Sequence, residues 1–347
     1  MKESGTFWNK QPGIFIKCIL AIYFTAFVWC YLLNQYLYMR PIITWYLDNW
    51  FLWLFSTWWF LSFVAVGQWP FTLIKGRYTR GFAMILVSWV IGWLNYYLLA
   101  KYCDATTILA VVGNLYFLIV FFSFTGENFG WAHLSPAKQY LAVIATNLGL
   151  AWLLCNTAIR WIPPWWFCVV QIFLGSQLFV YWCGKMTQPL KNIIAWAIIW
   201  IIVALYTSLL SLFGWYNYAH PDLVSDFWRL GFFSPEGKIF FNAWCSFGGL
   251  GLLLPMHNWP FRKIKQPWGG IIASIFTSIV AYIVTVVFIS IFPTLFPIAT
   301  FGADRWVLEA QTYAWFPTML VFFVIYGFGW GLEPYTWKGQ KATGEYE

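Results

Sequence analysis

The sequence predicts an all-α polytopic membrane protein of about ten transmembrane helices, and three observations carry that expectation. Of its 347 residues, 61% are hydrophobic and only 9% are charged, whereas roughly a quarter of residues are charged in soluble domains. Apolar runs close to the ~20 residues needed to cross ~30 Å of hydrocarbon recur along the whole length and leave no stretch for a separate soluble domain. Most of the cations fall in alternate breaks between those runs.

Charged or Pro/Gly-rich breaks delimit the spans, numbered one to ten, at 14–38, 46–69, 82–100, 106–124, 140–159, 167–183, 193–215, 239–257, 269–296 and 316–332. Span one follows "MKESGTFWNKQPG", which lacks a small-residue cleavage site and so reads as a retained anchor. With a cytoplasmic N-terminus, 14 of the 20 Lys and Arg residues fall on the cytoplasmic side. A missed or invented span would scramble this alternation, so the positive-inside rule supports ten spans with both termini in the cytoplasm, in the cell membrane. The net charge of +8 then marks the leaflet facing anionic lipid, and no nucleic-acid partner is expected. The other side is aromatic, as in "RWIPPWW", because Trp and Tyr settle at the headgroup level.

A repeat organises these spans. Sliding the chain by 190 residues aligns 69–93 with 259–283 at nine identities in 25, beginning with Trp-Pro-Phe-x-x-Ile-Lys in both; composition alone would give about two. The spans therefore form two four-helix units, one to four and seven to ten, with five and six between them. A displacement of six spans is even, so the units are parallel and related by a pseudo-two-fold axis along the membrane normal. The divisions are residues 1–138, 139–184 and 185–347. In each unit Trp69 or Trp259 sits at the interface, Pro70 or Pro260 stops a helix, and Lys75 or Lys265 holds a cytoplasmic turn that can act as a hinge. The turn lacks the Gly-Lys-Ser/Thr ending of a phosphate-binding loop.

Ionisable groups are nearly absent from the spans, and the twelve acids fall at ends, loops or tails. No deep carboxylate relay is expected. The seven cysteines are scattered without Cys-x-x-Cys spacing and read as small buried hydrophobes, so neither a metal nor a cofactor is expected. The interior polar groups are neutral, among them Asn95, Asn114, Asn147 and Asn242. In span five, Ala142, Ala145, Gly149, Trp152 and Asn156 share one face and read as a close-packing seam. In span eight, Gly248, Gly249 and Gly251 mark a helix break or close packing. Gly248 and Gly249 align with Trp58 and Trp59 of span two.

Two indoles opposite two glycines across a seam make an aromatic-walled pocket without fixed charge. That suits a weakly hydrated organic solute such as a methylated amine, whose ammonium gains on the order of 0.5 to 2 kcal/mol per indole face. The expected function is a permease, not an enzyme, with Trp58, Trp59 and Trp244 as walls and Asn95, Asn114 and Asn242 as orienting groups. Its expected partners are membrane lipids and the solute, and a homo-oligomer is compatible with the pattern. The alternative is a membrane anchor or electron-transfer subunit of a larger complex, which would show a copurifying protein or haem absorbance. Replacing Lys75 and Lys265 by Gln is expected to alter insertion or the balance of inward and outward states. A changed substrate preference with both of those unaltered would contradict the hinge reading.

Overall fold

The computed structural model describes residues 42–156, 186–212, 260–265 and 268–295, together with Phe7, Gly13, Ile16, Leu20, Phe240, Ala243 and Trp244. No strand occurs among the described residues. The chain runs through α1 (Ile42–Ala65), a 3-10 turn (Phe71–Leu73), α2 (Arg77–Tyr102) and α3 (Ala105–Ile119), which continues into a π-helical segment (Val120–Thr125). It then forms α4 (Pro136–Cys155), α5 (Leu190–Leu212), a second 3-10 turn (Phe261–Lys263) and α6 (Trp268–Leu295). These helices coincide with expected spans two, three, four, five, seven and nine. Spans one and eight are described only at Ile16 and Leu20 and at Phe240, Ala243 and Trp244, and spans six and ten lie outside the described residues. Among the described residues, two stretches, Thr79–Tyr102 and Trp268–Val287, are long and apolar enough to cross a membrane.

The core is built around α1. Every residue from Leu54 to Val66 is buried, which requires a sequence apolar on all sides, and "LFSTWWFLSFVAV" is that sequence apart from three hydroxyls. The hydroxyls are accommodated locally, as where Ser62 Oγ donates to Trp58 O at 2.9 Å. The sequence assigned the end of this helix to Pro70, but the structure ends it at Ala65. There Gly67 and Gln68 turn left-handed at φ 69° and 65°, and the Gly67 and Gln68 amides donate back to Val64 O and Phe63 O. Glycine at the first of these positions makes the turn without a Cβ clash.

The neighbouring helices pack on α1 through small or apolar faces. On α2, Gly81, Met84, Ser88 and Gly92 are buried at helical spacing. At Gly92 the backbones come so close that a Cβ would lie 2.4 Å from Ser56 Oγ and 2.6 Å from Ser56 N. The start of α3 is fixed by Asp104, whose carboxylate accepts from the Thr107 amide at 2.9 Å. The start of α4 has Pro136 in its first turn, where a missing N–H costs nothing. The expected close-packing seam on α4 is overturned. The buried face is Gln139, Val143, Asn147, Ala151 and Cys155, whereas Trp152 is 62% exposed and nothing lies within 4 Å of a Cβ built on Gly149. Small-residue spacing alone ranked the faces wrongly, because the face carrying Asn147 and Cys155 meets α3.

The two aligned turns share a backbone. Pro70 and Pro260 adopt φ −87° and −86° with ψ 1° and −6°, and Ile74 and Ile264 close each turn in extended conformation. The Ile74 amide donates to Phe71 O at 2.9 Å, and Ile264 to Phe261 O at 3.0 Å. The helices that follow carry matching outward stripes, Phe82, Leu86, Trp93 and Tyr97 on α2 against Ile272, Phe276, Ile283 and Val287 on α6.

Large apolar side chains also project outward from α4 and α5, including Leu141, Leu148, Ile193, Ile201, Leu205 and Leu209. This outer surface far exceeds the isolated apolar residues normal on a soluble monomer. Gly92→Ala is expected to destabilise the protein by about 1 to 3 kcal/mol, from overpacking against Ser56. Gly149→Ala should be neutral or slightly stabilising, since its Cβ meets open space in a helix. Thermal melts of both purified variants check the pair, and equal melting temperatures would contradict the packing described.

Candidate functional site

The residues expected to line a pocket separate into a closed set and a set with unused hydrogen-bonding capacity. Trp58 is fully buried and its indole N–H donates to Leu115 O at 3.1 Å, tying α1 to α3. Tyr116 strengthens the same contact by donating to Leu54 O at 3.0 Å. Trp244 is likewise fully buried, and its Nε1 donates to Thr277 Oγ1 of α6 at 3.2 Å. Thr277 passes its own proton to the helix backbone at Ala273 O and Ser274 O.

Trp59 and Asn114 differ from these. Trp59 stands edge-on to Trp58 with ring centroids 5.0 Å apart, and its buried Nε1 has no hydrogen-bond partner. Asn114 is fully buried; its Nδ2 donates to Ala110 O at 3.0 Å and to Cys155 Sγ at 3.4 Å, leaving Oδ1 without a partner. Asn147 repeats the pattern on α4, with Nδ2 on Val143 O at 2.7 Å and Oδ1 unpartnered. Asn95 is half-buried on α2. Asn242, Gly248, Gly249, Gly251 and Trp259 lie outside the described residues.

Of the hinge residues, Lys75, Pro260 and Lys265 are exposed, and the Trp69–Pro70 peptide bond is cis. The first turn is docked by its aromatics. Trp69 lies 5.7 Å from the Tyr140 ring, and Phe71 stands edge-on to Phe63 at 4.8 Å. Phe63 in turn stacks on Tyr140 at 5.3 Å. The Arg80 guanidinium closes the turn from the far side through two bonds to Ile74 O, at 3.2 and 3.0 Å.

A second polar locus was missed in the sequence. The π-helical segment displaces carbonyls from the ordinary ladder, and such segments need other partners for them. Thr125 Oγ1 donates to Val120 O at 2.9 Å and to Phe121 O at 3.2 Å. From the start of α5, Asn192 Nδ2 reaches Phe121 O at 3.2 Å and Gln188 Nε2 reaches Thr125 O at 2.8 Å. Trp196 Nε1 donates to Thr125 Oγ1 at 3.1 Å, and the Lys191 ammonium pairs with the Glu127 carboxylate. Gly126 permits the geometry, since a Cβ there would lie 2.5 Å from Phe122 O. Asn128 links this segment to α1 by donating to Ala65 O at 2.7 Å.

These contacts gather the end of α1, the end of α3, the start of α4 and the start of α5 at one end of the bundle. In the sequence, Glu127 and Lys191 looked like ordinary span-end charges. The one available signal was the polar run "TQPLKN" immediately before an apolar span.

Chemically, the buried polar groups among the described residues are neutral apart from Lys191, which is paired with Glu127, and none is a carboxylate. Trp58→Phe is expected to cost about 1 kcal/mol by removing the hydrogen bond between the two helices, while Trp59→Phe removes an N–H that had no partner and should cost much less. Denaturation midpoints would separate the two, and the reverse order would contradict this placement. No protein-family model matches the chain, and neither a curated protein nor a solved structure matches it.

Proposed function

We propose that the chain is a permease of the cell membrane that carries a small, weakly hydrated organic solute such as a methylated amine. The observation that carries this reading is the pairing of an apolar exterior with buried neutral polar atoms that have no partner, at Trp59, Asn114 and Asn147. Left dry, such atoms each cost about 1 to 3 kcal/mol. A pathway that water or solute enters would satisfy them.

In this reading the ten spans form two parallel four-helix units with both termini cytoplasmic. The like backbone of the two Trp-Pro-Phe turns and the matching outward stripes of α2 and α6 support the repeat. The gathering of α1, α3, α4 and α5 termini at one end supports the alternation of spans, since the turns near residues 70, 130 and 188 were all assigned to one side. Trp58 then acts as the fixed back wall behind Trp59, because its N–H is already bound. Trp59 and Asn114 are the groups free to meet solute.

Reconstituted into liposomes, the protein is expected to take up labelled methylated amines. Trp59→Ala combined with Asn114→Leu should reduce that uptake at least about tenfold, the loss of one or two polar contacts at about 1.4 kcal/mol per decade. No uptake of any amine, or uptake unaltered by both substitutions, would contradict the assignment.

A further inference from the structure

The junction between the π-helical segment and α5 holds a set of buried acceptors whose orientation is dictated by chemistry. Gln188 and Asn192 lie four residues apart and hold Thr125 O and Phe121 O, themselves four apart. A carbonyl can be met only by the NH2 end of an amide, so both side chains must turn their oxygens away from the segment. Those oxygens, Gln188 Oε1 and Asn192 Oδ1, are buried without partners, and so is the Ser123 hydroxyl within the same segment. Asn192 is 7% exposed and Ser123 fully buried, so bulk water does not meet this demand.

The surroundings favour a cation that carries its own donors. Trp196, beside Asn192 on α5, packs against Phe117 at 5.1 Å and Phe121 at 5.8 Å, which brings π faces to the same junction. The nearby charges already cancel, because Lys191 is paired with Glu127. Neutral oxygens with aromatic faces and no net charge attract an organic ammonium while leaving a strongly hydrated inorganic ion little reason to shed its water.

We infer that Gln188 Oε1 and Asn192 Oδ1 form a binding site for an N–H-bearing organic ammonium at the junction of the π-helical segment and α5. The inference rests on the permease reading and narrows its substrate class, since a quaternary ammonium has no N–H to give these oxygens. In the repeat arrangement the site joins the last span of the first unit to the first span of the second, where solute binding would bear on both.

The test is calorimetric titration of the full-length protein in lipid nanodiscs with mono-, di- and trimethylammonium, set against tetramethylammonium. The N–H-bearing ions should bind at least about tenfold more tightly, the difference made by one charge-assisted hydrogen bond. Asn192→Leu removes one of the two oxygens and should weaken that binding about tenfold.

Equal affinity for tetramethylammonium, no binding of any amine, or Asn192→Leu binding as the parent does would overturn the site. Uptake that is indifferent to N–H content would remove the site and leave the permease reading standing. Binding with the stated preference but without uptake would do the reverse.

Discussion

A buried polar group must find its partner inside the protein, and this constraint governs the arrangement of the described helices. The stretch from Leu54 to Val66 is enclosed on all sides, so its contacts with α3 and the segment beyond are made by side chains reaching main-chain oxygens. Trp58 reaches Leu115, Tyr116 reaches Leu54, and Asn128 reaches Ala65. Each bond adds a second donor or a cap to a main-chain oxygen in a low-dielectric setting, which makes the three together a stronger clamp than their apolar packing alone. The hydroxyls follow the same rule by bonding to their own helix, as Ser88 does to Met84 O at 2.7 Å and Thr285 to Ala281 O at 2.7 Å.

Departures from the rule occur at Trp59, Gln68 and Asn147, and are denser around α3 and its π-helical extension. Asn114, Ser123, Gln188 and Asn192 keep one polar atom each without a partner. Near them the backbone also leaves the regular ladder, and Glu127 and Asn128 take left-handed conformations at φ 52° and 55°. Irregular backbone and unspent hydrogen-bonding capacity at one place are the features that a solute-binding segment combines, and both are absent from the long regular helix α2. The proposed permease uses the rigid Trp58 contact as a support and this irregular segment as the working part.

How much of this was legible in the sequence depended on whether a feature is local. The six described helices were visible as apolar runs, because span length and flanking charge are properties of consecutive residues. The second Trp-Pro-Phe turn was visible as an identity, and its backbone repeats that of the first. What the sequence did not show are choices made between helices. The α4 seam was assigned to the Gly149 face, although Asn114 engages Cys155 on the opposite one. Proline was credited with ending α1, but a left-handed pair at Gly67 and Gln68 ends it first. The π-helical segment could not be anticipated, since its freed carbonyls are met by Gln188 and Asn192, more than sixty residues away in the chain.

The proposed account stands on two parallel units in a membrane, with the Trp-Pro-Phe turns as the corresponding points in each. The most direct test places a single cysteine at position 75 or 265, on a background with the native cysteines replaced. A membrane-impermeant thiol reagent is then applied to right-side-out and inverted vesicles. The account predicts that both positions react only from the cytoplasmic face. Reaction of one position from each face would contradict the parallel repeat and the permease architecture built on it.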